Sequence, residues 1–400
     1  MHRSRKLRCI ALWVLLGATP LLGACGGADD STVAVAGQEG STSAATSPQS
    51  LLSRSDAATV WTGEALFVFG GVELGVPPGS APPYADAFLL DPATGEAQSI
   101  EPLPFNYPLE QNVGLAASGN SVIALGILCR DRLPEEIAAC SPGDLVAAKY
   151  VLNEDRWEEL ALPRLLNEAK NFTRATLGIT TAEQIIFDAG PTGSRPIDTA
   201  PYWLYDLPSD TWMPLPSPEV RVEDVCLTND HLVVLTGSLL NAGSVIASPT
   251  EQVSGGTLTD PSLRILDLRE PEDSSWNATD ELTDQMYLDY LLDCGSDYAL
   301  LQNGLGGDVV VHDVVDAARW MPAEPAPAER FYNEVISVED RLLFLNTLDG
   351  IGYAFTRQSG AWDLIEAPVT QENVTWTGES LVALTPEHPD SGFTVVDVSQ

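Results

Sequence analysis

The chain of 400 residues is predicted to be all-β, a closed ring of similar four-stranded antiparallel sheets, and three observations predict it. An aromatic residue, a tight polar turn and a Trp seven positions later recur, best seen in Tyr205-Asp206-Leu207-Pro208-Ser209-Asp210-Thr211-Trp212 and again in Tyr150 to Trp157 and Phe355 to Trp362. Trp61-Thr62-Gly63-Glu64-Ala65-Leu66 returns as Trp376-Thr377-Gly378-Glu379-Ser380-Leu381, 315 residues later. Finally, 32 Gly and 29 Pro punctuate short apolar runs, and nothing reads as a long amphipathic helix. Six periods over that interval give about 52 residues each, the spacing of propeller blades. The expectation is therefore a seven-bladed β-propeller of four-stranded blades, with six blades and an irregular tail as the alternative.

Each unit reads the same way. Thr59 to Trp61 opens the first, Gly63-Glu64 turns the chain, and the continuous apolar run Leu66 to Phe69 ends in Gly70-Gly71. A variable connection follows, then the hairpin from Leu90 to Ala97. Weaker hairpins are Val314 to Trp320 and Leu266 to Trp276. The seventh unit stops after three strands near Gln400, so its outer strand is expected from Pro48 to Asp56. That arrangement leaves no exposed sheet edge.

Residues 1–25 read as an export signal. Arg3, Arg5, Lys6 and Arg8 precede an apolar core from Cys9 to Leu22, too short to span a bilayer. Leu22-Gly23-Ala24-Cys25 resembles a bacterial lipoprotein lipobox, which implies that Cys25 is lipidated and becomes the N-terminus. Residues 26–47 are small and polar, a flexible tether, and 48–400 form the propeller.

Removal of the signal leaves 20 − 4 = 16 Lys and Arg against 57 Asp and Glu. So acidic a surface repels phosphate backbones and anionic lipid, which argues against nucleic acid and against membrane contact other than by a lipid anchor. Cys129, Cys140, Cys226 and Cys294 remain besides Cys25, an even count that favours disulfides in an exported protein. Four cysteines allow three pairings. The expected ones are Cys129 with Cys140, across a short loop, and Cys226 with Cys294, between the first strands of consecutive repeats.

Gly70-Gly71, the Tyr-to-Trp hairpins, and Pro327-Ala328-Glu329-Arg330 with Pro218-Glu219-Val220-Arg221 together resemble the kelch family and, more broadly, galactose-oxidase central-domain propellers. Elsewhere the glycine pair decays to Leu125-Gly126, Ala189-Gly190, Thr236-Gly237 or Asn303-Gly304.

Recognition is expected in the long connections of the first four units, Val72 to Tyr84, Cys129 to Asp144, Pro191 to Pro201 and Ser238 to Pro261, which share one face. Arg164, Arg221 and Arg330 near the inter-blade connections are the candidate ligand-binding residues, suited to a carboxylate or sulfate. Structural pairing with neighbouring acids is their other reading. His312 sits in a strand-like run and reads as structural. No nucleophile elbow, phosphate loop or metal-ligand spacing occurs, so no catalytic residue, metal or cofactor is assigned.

The sequence thus points to a lipoprotein of the cell envelope, anchored on the outer side of a bacterial membrane. Its propeller would bind a cell-envelope protein or glycan. The alternative is an enzyme acting on polysaccharide or glycoconjugate through a central funnel. A purely structural envelope protein is the third reading.

Overall fold

A computed structural model of the chain describes residues 54–73, 84, 86–101, 103, 113–128, 144–163, 176–179, 184–188, 202–220, 222–240, 246–248, 251–252, 257–270, 274–279, 285–287, 291–295, 297–302, 309–314, 320–323, 334–338, 341–370, 374–385 and 392–398. The described chain is an antiparallel β-propeller. Its first sheet is β1 (Arg54–Trp61), β2 (Leu66–Glu73), β3 (Ala87–Leu90) and β4 (Ala97–Ser99), hydrogen-bonded in that order. The second repeats the meander with β5 (Gly114–Ser118), β6 (Ser121–Leu128), β7 (Asp144–Val151) and β8 (Arg156–Leu160). The third has β9 (Thr176–Ile179), β10 (Gln184–Asp188), β11 (Tyr202–Asp206) and β12 (Thr211–Pro214).

Among the described residues the fourth sheet is the largest. It runs through β13 (Val222–Leu227) and β14 (His231–Leu240). A small hairpin, β15 (Ile246–Ser248) and β16 (Glu251–Gln252), then leads to β17 (Thr257–Asp267) and β18 (Asn277–Ala278), with β19 (Gln285–Tyr287) on the far end of β17. The fifth sheet holds β20 (Leu291–Cys294), β21 (Tyr298–Gln302), β22 (Val309–Asp313) and β23 (Trp320–Ala323). The sixth holds β24 (Glu334–Val338), β25 (Arg341–Asn346), β26 (Ile351–Thr356) and β27 (Ala361–Glu366). A last sheet has three strands, β28 (Val374–Trp376), β29 (Ser380–Leu384) and β30 (Phe393–Asp397).

The expected count is corrected here. Among the described residues six blades have four strands in the meander, the number given as the alternative, and the last sheet, expected as a seventh four-stranded blade, has three. Its proposed donor, Pro48 to Asp56, is also revised. Arg54, Ser55 and Asp56 belong to β1, and within the first blade Arg54 pairs with Glu73 and Ser55 with Val72. The preceding residues lie outside the described ones. Part of the expected Ser238 to Pro261 loop is strand as well. Ser238, Leu239 and Leu240 pair with Thr259, Leu258 and Thr257, because apolar and β-branched residues continue the ladder past a register shift at Gly237.

Burial explains the sequence pattern. The second strand of a blade lies between neighbouring sheets and is covered on both faces, so it is written as an unbroken apolar run. Leu66, Phe67, Val68 and Phe69 are buried, as are Leu232 to Leu235 and Leu342 to Leu345. The cores lie between sheets rather than at a common centre. Phe67, Phe69, Val122 and Tyr150 join the first and second sheets, and Ile123, Leu125, Ile185 and Tyr205 join the second and third. The last sheet packs on both neighbours, through Ala383 and Val374 toward Leu343 and through Val382 and Leu384 toward Phe88 and Val68.

The repeated motifs fold alike. Tyr150 faces Trp157, Tyr205 faces Trp212 and Phe355 faces Trp362 across their hairpins, with ring centroids 5.1, 4.8 and 5.0 Å apart. Tyr150 donates to the Asp155 carboxylate at 2.5 Å and Tyr205 to Asp210, and both acids sit in the left-handed region that closes the turn. Burial, reinforced by these carboxylates, pushes both phenols up, so each remains a donor. Trp157 Nε1 donates 2.7 Å to the Glu101 carbonyl and Trp276 Nε1 2.8 Å to that of Pro216, tying a blade to the exit of the one before. In the fifth blade Trp320 pairs with His312, not Val314, so His312 occupies the aromatic position of the hairpin and is fully buried there. The two Trp-Thr-Gly-Glu copies share one turn. Thr62 Oγ1 donates to the Ala65 carbonyl and Thr377 Oγ1 to that of Ser380, with Gly63 and Gly378 at φ +101° and +102°.

Candidate binding site on the rim of the first blade

Position on the rim follows from strand order. The start of a first strand, the end of a second and the start of a third meet at one edge of a blade. In the first blade that edge carries Arg54, Gly70-Gly71 and the pair Tyr84 and Asp86. Arg54 is 1% exposed. A buried guanidinium demands partners. It finds Asp86 in a bidentate pair, Nη1 to Oδ1 at 2.6 Å and Nη2 to Oδ2 at 2.8 Å, and Nη1 also donates 3.1 Å to the Gly70 carbonyl. Its Nε is buried and makes no hydrogen bond.

The guanidinium lies 4.2 Å from the centroid of the Tyr84 ring and 5.6 Å from that of Phe88. Cation–π attraction holds a ring at that distance. The backbone fixes the rest. The Gly70 N–H donates 3.0 Å to the Asp86 carbonyl, and the Tyr84 N–H donates 2.8 Å to the Gly71 carbonyl. Gly70 and Gly71 adopt φ +69° and +83°, and a Cβ on Gly71 would stand 2.9 Å from the Ser55 carbonyl oxygen. Only glycine satisfies both the conformation and the approach. What reaches solvent is the acid and the ring: the Asp86 side chain is 41% exposed and Tyr84 is 38% exposed.

A second arginine cluster shows what a closed version looks like. Between the fifth and sixth blades Arg357 pairs with Asp297 and Asp313 and lies 5.4 Å from the ring of Tyr298. Tyr298 is fully buried, so this cluster presents no aromatic surface and serves as a lock between blades.

Of the residues singled out from sequence, Arg164, Arg221 and Arg330 lie outside the described residues, as do Cys25, Cys129 and Cys140. Cys226 and Cys294 form a disulfide with Cα atoms 5.5 Å apart, joining β13 and β20, the first strands of consecutive blades. Sequence reasoning missed Arg54 and Asp86, whereas Tyr84 ends the connection from Val72 that it named for recognition. The available signal was the glycine pair, intact only where it must admit this cluster. Among the described residues no group of three His, Cys, Asp or Glu side chains is arranged to hold a metal ion, and no helix is long and apolar enough to cross a membrane.

The chain matches no protein-family model and no curated protein. Among solved structures it is similar to one titled "Structure of U3-55K", at 10% sequence identity and a TM-score of 0.47, over 86% of this chain and 96% of that one. Strand order and pairing in the chain itself show a β-propeller built from antiparallel four-stranded blades.

Proposed function

We propose that this chain is an exported lipoprotein, held at the outer side of a bacterial membrane by lipid on Cys25, whose kelch-like propeller is a binding module. The observation that carries the reading is an inequality around one rim. Between second and third strands the first four blades have residues 74–86, 129–143, 189–201 and 241–256, whereas the following sheets have 303–308, 347–350 and 385–392. Long connections concentrated on one half of a rigid ring are where a scaffold of this kind places recognition. The basic run before Cys25, its apolar core and the small residues Gly23 and Ala24 support the anchor. The partner is a protein or glycan of the cell envelope.

The test is made in cells carrying the full chain. A photoactivatable side chain at Ser194, in the third long connection, is expected to crosslink a partner. The same group at Asn120, in the exposed turn between β5 and β6 on the opposite rim, is expected to give none. Radioactive palmitate should label the wild type and not Cys25→Ala. Equal crosslinking from both rims would remove the binding reading. Label retained in Cys25→Ala would remove the anchor.

A further inference from the structure

Arg54, Tyr84 and Asp86 invite a more specific assignment. We propose that Tyr84 and Asp86, seated on the buried Arg54, form a subsite for an uncharged pyranose ring of a glycan. The inference rests on the reading of this rim as the binding face and names the ligand class for the first blade.

Three features carry it. The first is a flat apolar surface held rigid. Arg54 covers one face of the Tyr84 ring at 4.2 Å while the residue as a whole is 38% exposed, and the proposed surface is the side away from the guanidinium. A rigid aromatic face matches a sugar, which presents an apolar face of C–H groups. The second is an acceptor beside that surface. An ionised carboxylate offers about four lone-pair positions, and the bidentate pair with Arg54 uses one on each oxygen of Asp86. The remainder face a half-exposed environment, placed to accept from sugar hydroxyls. The third is preorganisation. Tyr84 and Asp86 are both pinned through their backbones to Gly70-Gly71, so little ordering remains to be done on binding.

The charge balance decides the class of sugar. Arg54 is already matched by Asp86 and is 1% exposed, so it offers nothing to a uronate or sulfate. A chain of net charge −37 disfavours such ligands further. The cluster at Arg357 has the same chemistry with its tyrosine sealed. An interlock between strands therefore does not itself require an exposed ring.

The test uses the full chain in micelles of a non-glycosidic detergent, titrated calorimetrically. The probes are short β-1,4-linked glucan, xylan, mannan and chitin fragments, with oligogalacturonate as the acidic comparison. At least one uncharged oligosaccharide is expected to bind. Tyr84→Phe should retain that affinity. Tyr84→Leu, which lacks a flat face, should weaken it about tenfold or more in a protein that still folds, as a cooperative melting transition shows. Binding of oligogalacturonate alone, binding of no oligosaccharide, or equal affinity of Tyr84→Leu and wild type would each overturn the subsite. Rim crosslinking to a protein without sugar binding would overturn it too, while leaving the binding module in place.

Discussion

Thr59 and Thr375 stand 316 residues apart and share a hydrogen bond of 2.8 Å between their Oγ1 atoms. One lies on β1 and the other on β28, the first strands of the first and last sheets. Thr375 is 2% exposed, so the contact closes the ring in a site with little access to water. Thr59→Val or Thr375→Val removes one hydroxyl and leaves the other without its partner. Each is expected to cost about 1–2 kcal/mol, and the double variant less than the sum. Urea unfolding of the four proteins measures this, and additive losses would show that the pair is not coupled.

Stability should fall on mild acidification. Burial holds His312 below the ordinary histidine value, against a smaller opposing effect of Asp313, and burial does the same for His231. A group neutral in the fold but protonated in the unfolded chain costs nothing above pH ~6.5 and progressively more as pH drops below it. Melting temperatures read between pH 7.5 and 5 are expected to decline. His312→Phe, which places an aromatic residue where the Tyr150, Tyr205 and Phe355 hairpins have one, should flatten part of that decline. An unchanged slope would mean that His312 does not drive it.

Gly71→Ala is expected to destabilise by about 1–3 kcal/mol, because the added Cβ meets the Ser55 carbonyl and φ is +83°. Gly63→Ala adds a Cβ at φ +101° with no atom within 4 Å. It therefore carries the backbone penalty without the collision. Comparing the two by denaturant midpoint separates conformation from contact.

The disulfide between Cys226 and Cys294 spans a separation of 68 residues, and both residues are buried in the core between the fourth and fifth blades. Closing a loop of that length restricts the unfolded chain by about 4 kcal/mol in the entropic account. Cys226→Ala with Cys294→Ala should therefore lower the melting temperature by several degrees or more. A reductant should have little effect on the native protein, since neither residue is exposed by more than 2%. Rapid reduction of the folded chain would contradict this.

The sequence shows its periods clearly where a motif is local. Tyr205 and Trp212 meet within one hairpin, and the turn at Thr62 depends only on residues 62 to 65, so their physics is contained in the spacing. Trp320 misled because its spacing from His312 is eight, one more than in the Tyr150, Tyr205 and Phe355 hairpins. A rule based on seven positions lands near Val314, and histidine is not an obvious stand-in for tyrosine. Arg54 was harder still. Its acid lies 32 residues away and its charge is cancelled by geometry that no linear pattern records. The unequal final sheet was visible as a shortage of strands. The membership of Arg54 to Asp56 in β1 could be read only from the pairing.

Each hydrophobic cluster described above draws its residues from two adjoining sheets, and no sheet owns a core by itself. A break in a connection therefore leaves every junction intact, whereas excision of a blade removes half of two junctions at once. Such a ring tolerates being nicked and resists being shortened, which leaves its connections free to lengthen and diversify while the number of sheets stays fixed.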